Sequence, residues 1–381
     1  MVFHYRNRLL VLILFVSFVV SCTSEKEKKK NTIDTSQEIE FYLGADLSYV
    51  NEMEECGVFY KNSEGEVEDV YKIFANSGAN LIRVRKWHNA KWSNYSDYLD
   101  VEKTIKRAKN QKMKVLLDFH YSDDWADPNK QQIPEAWFPV IDNLEALGDS
   151  IYNYTYKTLE KLDAKNLLPE MVQVGNETNI MILQKDDKIG EMNWERNAYL
   201  LNKGIKAVRD LSKSKDKKIE IMLHVAQPEN GLTWYRSAKE NGLTDYDLIG
   251  LSYYSKWSSF SMTEAANTIK TLKETYQKDV LIVETSYPFT LQGVDKANNI
   301  LGEDSLNNGY PATQEGQLKY LLDFKRMIKK AGGKGLIYWE PAWISNNCST
   351  RWGKGSHWDN ATLFDFDGKP TLGTSNLKTD N

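Results

Sequence analysis

The chain has 381 residues, a length that suits one large α/β barrel with short extensions. Its 49 Lys and Arg against 53 Asp and Glu leave a net charge of −4, which provides no basic stripe for a phosphate backbone and argues against nucleic-acid binding in favour of a neutral ligand. Aromatic residues make up 12% of the chain, with 11 Trp and 21 Tyr; barrel interiors prefer aliphatics, so some of these rings are expected along a surface or cleft.

In chain order, residues 1–21 read as a secretory signal of the lipoprotein kind. Arg6 and Arg8 precede an apolar run from Leu9 to Val20 that is too short for a typical membrane span. The run ends in Val19, Val20, Ser21 and Cys22, which resembles a bacterial lipobox, so Cys22 is the expected lipid anchor. Several buried acyl chains would hold such a protein stably on a membrane. Residues 22–38 form a tether, since Glu25 to Lys30 contains nothing able to enter a core. The folded domain is expected over residues 39–375.

From Phe41 onward, short apolar β-branched runs alternate with amphipathic segments, the pattern of repeated βα units around a parallel sheet. Eight strands are predicted, at 41–48, 81–87, 114–121, 171–177, 218–225, 248–254, 280–287 and 335–340. Helices are predicted at 101–111, 147–165, 195–212, 262–276 and 313–331, where apolar residues recur at helical spacing. These elements give a single (β/α)8 TIM barrel. In that fold the loops after the first and last strands are neighbours, so Cys56 and Cys348 either form a bridge there or stand as two separate thiols.

The predicted strands begin apolar and end polar or aromatic: Asp118 with His120, Asn176 with Glu177, His224, Tyr253 with Tyr254, Glu284, and Trp339 with Glu340. In a parallel barrel all of these converge on the C-terminal face, where active sites sit. No GxGxxG follows the first strand and no P-loop is present, so nucleotide readings lack their fingerprint. The five His show no HExxH or other ligand pair, which disfavours a catalytic metal. Glu177 and Glu284 end strands four and seven, which face each other across a barrel mouth. Two carboxylates about 5 to 5.5 Å apart are what a retaining glycosidase uses as acid/base and nucleophile. Glu177 is expected to stay protonated among apolar neighbours, and Glu284 to be ionised beside Arg83.

The stretches YLGADLSYV, IRVRKW, DFHYSDDWADP at 118–128, VGNETN, IMLHV, LSYY, VETSYP and YWEPAW together resemble glycoside hydrolase family 53, the arabinogalactan endo-β-1,4-galactanases of clan A. The likeness runs from about Phe41 to Phe366, and its most specific segments are DFHYSDxWADP and YWEPAW. It implies an endo-acting, retaining enzyme on the β-1,4-galactan side chains of pectin, with no cofactor required. Residue by residue it implies Glu177 as acid/base, Glu284 as nucleophile, Asn176 on the 2-hydroxyl of the cleaved sugar, and Arg83 as the strand-two arginine. It also implies that Asp118, His120, His224, Tyr254 and Trp339 touch substrate. Trp92, Trp125, Trp343 and Trp352 are candidate stacking platforms.

Two departures stand out. His224 is followed by Val225, Ala226 and Gln227 where family members often carry an Asp, and Tyr287 stands where some have Trp, which would shorten a stacking surface. The resemblance also raises a structural calcium, for which Asp295, Asn298, Ser356 and Asp359 offer hard oxygen ligands. Other readings are another clan A glycanase, such as a β-mannanase or cellulase, and a surface lipoprotein that binds glycans without cleaving them. A monomeric outer-membrane lipoprotein facing the cell surface is expected, in contact with a polysaccharide substrate.

Overall fold

The computed structural model describes residue 1 and residues 40–186, 190–351 and 353–378. The remaining signal segment, the tether, Cys22 and Trp352 lie outside the described residues.

Eight parallel strands close into a barrel in chain order: β1 Tyr42–Asp46, β2 Leu81–Lys86, β3 Lys114–Phe119, β4 Met171–Val174, β5 Glu220–Ala226, β6 Leu248–Ser252, β7 Asp279–Glu284 and β8 Gly335–Tyr338. Closure is made by β1 against β8, with Tyr42 opposite Gly335 and Ala45 opposite Tyr338. Each of the eight predicted strands is present, because runs of β-branched and aliphatic residues buried on both faces are stable only inside such a sheet.

Five helices fall where helical spacing places them: α3 Tyr98–Asn110, α4 Leu144–Asp163, α5 Trp194–Lys215, α7 Met262–Tyr276 and α8 Gln314–Lys330. Local chemistry sets their starts; Ser261 and Glu264 form a reciprocal capping box at α7. Three further helices, α1 Val50–Glu55, α2 Val70–Ser77 and α6 Pro228–Glu240, are additions to the sequence reading. α1 is too short to show a period. α6 carries Asn230-Gly231, which reads as a turn, although Pro228 at its first turn suits a helix start. α2 ends at Gly78, whose φ of 104° and close approach to the Leu377 carbonyl admit no side chain.

Cys56, just after α1, is bonded to Cys348, with Cα atoms 5.5 Å apart. The two alternatives for these cysteines resolve to the bridge. It ties the loop after β1 to the loop after β8, just ahead of a small hairpin of β9 Ser349–Thr350 and β10 Gly353–Lys354.

Candidate active site

Side chains alternate along a strand, so every second residue enters the barrel. At the N-terminal end these residues form an apolar plug of Tyr42, Leu81, Leu116, Met171, Met222, Leu248, Leu281, Val283 and Ile337. Two residues further along, Leu81 gives way to Arg83, Leu116 to Asp118, Met171 to Gln173 and Met222 to His224. Above this polar layer opens a cleft of about 720 Å³ lined by Arg83, Asp118, His120, Asn176, Glu177, Tyr254, Glu284, Trp339 and Trp343.

Two local irregularities bring the carboxylates to this face. Gly175 has φ 84° and Glu177 has φ 43°, so the chain leaves β4 without alternating, and Asn176 and Glu177 both line the cleft. Gln131 Nε2 fixes this turn by donating to the carbonyls of Asn176 and Glu177 at 2.8 and 3.1 Å. On β7, Ile282 pairs with Leu251 and Glu284 with Ser252, leaving Val283 as a bulge. Val283 stays in the plug, and Glu284 turns into the cleft.

Arg83 is the hub of the site. Nη1 lies 2.9 Å from Asp46 and 2.8 Å from Glu284, and Nη2 lies 2.8 Å from Asp118. Nη2 also donates to Asn176 Oδ1 at 2.8 Å, and Nε donates to Gln173 Oε1 at 3.2 Å. Burial alone would lower its pKa, but the carboxylates of Asp118, Glu284 and Asp46 hold Arg83 further above its ordinary range. Burial likewise raises Asp118, yet Arg83 and His120 bring its carboxyl below the usual range. His120 is driven down by burial against the opposing pull of Asp118. Its Nε2 lies 3.0 Å from Asp118, and its Nδ1 accepts from the Ala126 N–H at 3.2 Å, as one neutral tautomer does.

Oxygens of Glu177, Glu284 and a nitrogen of His224 all lie within 4.8 Å of one another. Burial raises both glutamates, and their neighbours separate them. Glu177 is pushed further by Glu284 and Asp127 against the pull of Ser252 and Arg83, whereas Glu284 is drawn back first by Arg83, against Asp46 and Asp118, and then by the Tyr254 hydroxyl, which donates to it at 3.1 Å. Glu177 therefore holds its proton to higher pH than Glu284, although Glu284, expected ionised, is itself raised to about 7. Glu177 Oε1 accepts from the Ser252 hydroxyl at 2.5 Å.

Aromatic rings wall the cleft. Tyr49 stacks on Trp343 with centroids 4.1 Å apart, and the Arg85 guanidinium lies under Trp125 at 4.2 Å. Of the candidate platforms, Trp125 and Trp343 line the cleft. Trp92 does not; it sits against Trp87, with its indole N–H donating to the Asp123 carbonyl, beneath Arg351. Tyr287 is also no cleft surface, being fully buried and stacked on Tyr320 at 4.1 Å. His224 requires a similar correction: it is wholly buried behind the cleft wall, where it touches side chains rather than the cleft.

The sequence reading did not single out Asp46, Tyr49, Arg85, Asp127, Gln227 or Trp257, all of which line the cleft. Asp46 ends β1, the same polar-end signal used for the other strands. Trp257, 48% exposed, lies on a loop with no periodic signal. Gln227, beyond His224, takes φ 60° and its side chain accepts from the Tyr254 N–H at 3.3 Å. It supplies a polar group to the cleft next to Ala226.

The four residues considered for calcium brace the loops after β7 and β8. Asp295 accepts from the N–H groups of Ala297 and Ser356 at 2.8 and 2.7 Å, and Asp359 accepts from Val294 N–H and Ser345 Oγ. Ser356 Oγ donates to the Trp343 carbonyl, and the Asn298 carbonyl faces His357. The N–H and O–H donors of these loops occupy Asp295 and Asp359 Oδ2, while Asp359 Oδ1 is buried without a protein partner.

Residues 42–375 match the family described as glycosyl hydrolase family 53. The chain belongs to this family. It is a glycoside hydrolase. It is 57% identical over 327 residues to an arabinogalactan endo-beta-1,4-galactanase of Cellvibrio japonicus, covering 85% of this chain and 86% of that one. It is 33% identical over 372 residues to an endo-beta-1,4-galactanase of Bacillus subtilis, covering 87% and 84%. Among solved structures, the catalytic domain of a family 53 protein from Ignisphaera aggregans superposes with a TM-score of 0.82 at 30% identity, covering 90% of this chain and 97% of that one. A fungal beta-1,4-galactanase superposes with a TM-score of 0.76 at 29% identity, covering 88% and 98%.

Proposed function

We propose that this chain is an endo-acting β-1,4-galactanase that cleaves the β-1,4-galactan side chains of pectin with retention of configuration. The observation that carries the mechanism is the approach of a Glu177 and a Glu284 oxygen to within 4.8 Å. Retaining enzymes hold their carboxyls about 5–5.5 Å apart, whereas inverting ones need about 6.5–9.5 Å to admit a water. Glu284, ionised beside Arg83, attacks the anomeric carbon while Glu177 gives its proton to the departing glycosidic oxygen. Glu177, now a carboxylate, then takes a proton from water, which attacks the same carbon and releases Glu284. Protein side chains and water supply every atom, so no cofactor enters. Asn176, held by Arg83, is placed to meet the 2-hydroxyl as positive charge develops on the ring. The names of the relatives support galactan as the polymer.

The test is product analysis of the domain from residue 39 onward on pectic galactan, mannan and carboxymethylcellulose, with NMR of the first-formed anomer. Short β-configured galacto-oligosaccharides from galactan alone are expected. Cleavage of another polymer instead would move the substrate, and an α-configured first product would remove the double displacement.

The same reading makes residues 1–21 a signal, 22–38 a tether, and Cys22 the lipidated anchor of a monomer displayed on the outer membrane. An outward position suits a polymer too large to import. Protease shaving of intact cells should release residues 39–375; a protein left untouched would count against outward display.

A further inference from the structure

Behind Glu177 the structure continues into an uncharged chain of groups. Ser252, the last residue of β6, is wholly buried and donates its hydroxyl to Glu177 Oε1 at 2.5 Å. Its oxygen lies 2.9 Å from His224 Nε2 on β5. Because the single Ser252 proton is spent on Glu177, Nε2 must be the donor of that second bond. His224 Nδ1 is then an acceptor. Gln173 Nε2 approaches it at 3.1 Å and Asn176 Oδ1 at 3.0 Å, one N–H bridging the two acceptors, which themselves lie 2.9 Å apart. The amide orientation of Gln173 is fixed, since its other end accepts from Arg83 and Nε2 also donates to Asp118 Oδ1 at 2.6 Å. Burial and the nearby Arg83 hold His224 well below its ordinary range, so it is a neutral imidazole throughout.

We propose that Ser252, oriented by neutral His224, is a positioning residue that occupies Glu177 Oε1 and keeps the catalytic proton on the other carboxyl oxygen, the one left for the cleft. This rests on the assignment of Glu177 as acid/base. A cationic donor in the same place would strip the proton from Glu177. A hydroxyl orients the group and leaves its charge cycle free. The charged or titratable groups facing Glu177 are Glu284 from β7, Asp127 from the loop after β3, Arg83 from β2, Tyr254 from the end of β6 and His224 from β5. To these Ser252 adds an uncharged donor bonded directly to the Glu177 carboxyl.

The test is Ser252→Ala, with its melting temperature checked against the parent protein. A donor to the ionised form holds a carboxyl pKa down, so its removal moves the basic limb of kcat/KM on galactan up by about one pH unit. Activity on galactan falls about tenfold more than on an aryl β-galactobioside with a dinitrophenolate leaving group, because that departure needs no proton. Equal loss on both substrates, or an unmoved limb, would overturn the proposal. A limb moved to lower pH would show Ser252 accepting from Glu177, and would overturn it as well. Carboxyl-carbon NMR titration of Glu177 in Glu284→Gln protein, with and without Ser252→Ala, reads the same shift without turnover. Parent protein inactive on galactan therefore sinks the proposed function, while the titration still decides the role of Ser252.

Discussion

The two ends of one barrel interior are built from the same strands and do opposite work. At the N-terminal end, nine apolar side chains fill the space, and each is at most 4% exposed. Two residues further along β2 to β5, a buried arginine, an aspartate, a glutamine and a histidine take the equivalent inward places. The plug contributes stability through burial, about 1.5–3 kcal/mol for each large side chain. The polar layer sets one guanidinium against three carboxylates in a desolvated space, an arrangement that favours a defined geometry over stability.

Four experiments sharpen that contrast. Glu284→Ala should lower kcat on galactan by about 10⁴-fold or more while leaving the melting temperature close to that of the parent, since the proposed nucleophile is lost and the plug is untouched. Wild-type-like turnover would remove Glu284 from its role. Arg83→Met should cost about 3–5 kcal/mol in urea unfolding, because Asp46, Asp118 and Glu284 are left buried together without their cation. A loss below about 1 kcal/mol would mean that water or protons replace it easily. Met222→Ala, in the plug, should cost about 2–5 kcal/mol yet leave the shape of the pH–rate profile unchanged. A moved limb would show that the two layers are coupled.

The smallest effect concerns pH. The proposed double displacement needs Glu284 ionised and Glu177 protonated, so kcat/KM should fall on the acid side as Glu284 gains a proton and on the alkaline side as Glu177 loses one. Both folded-state values are raised, so the folded chain binds more protons than the unfolded chain between the ordinary glutamate range and the raised values. Stability therefore declines as pH rises through that window. Glu177→Gln removes one such group, and its melting temperature relative to the parent should rise as pH climbs above the ordinary glutamate range. A constant difference would place Glu177 in an ordinary environment.

The sequence by itself determined the barrel. Eight apolar runs separated by amphipathic segments leave few other ways to bury both faces of each strand, and polar strand ends mark the face where chemistry gathers. It also pointed to Glu177, Glu284 and Arg83, which the barrel brings together in the cleft and whose residue types are costly to bury without a task. Alternation with period two could not show that Asn176 and Glu177 both face the cleft, nor that Glu284 does so beside an inward Val283. Those depend on a left-handed turn at Glu177 and a bulge at Val283, which only the pairing of neighbouring strands imposes. The placing of His224 and Tyr287 behind the surface, and of Trp92 away from the cleft, was likewise a tertiary matter. A buried aromatic or imidazole and a substrate-facing one have the same local sequence, and they differ only in what other strands and loops lay over them.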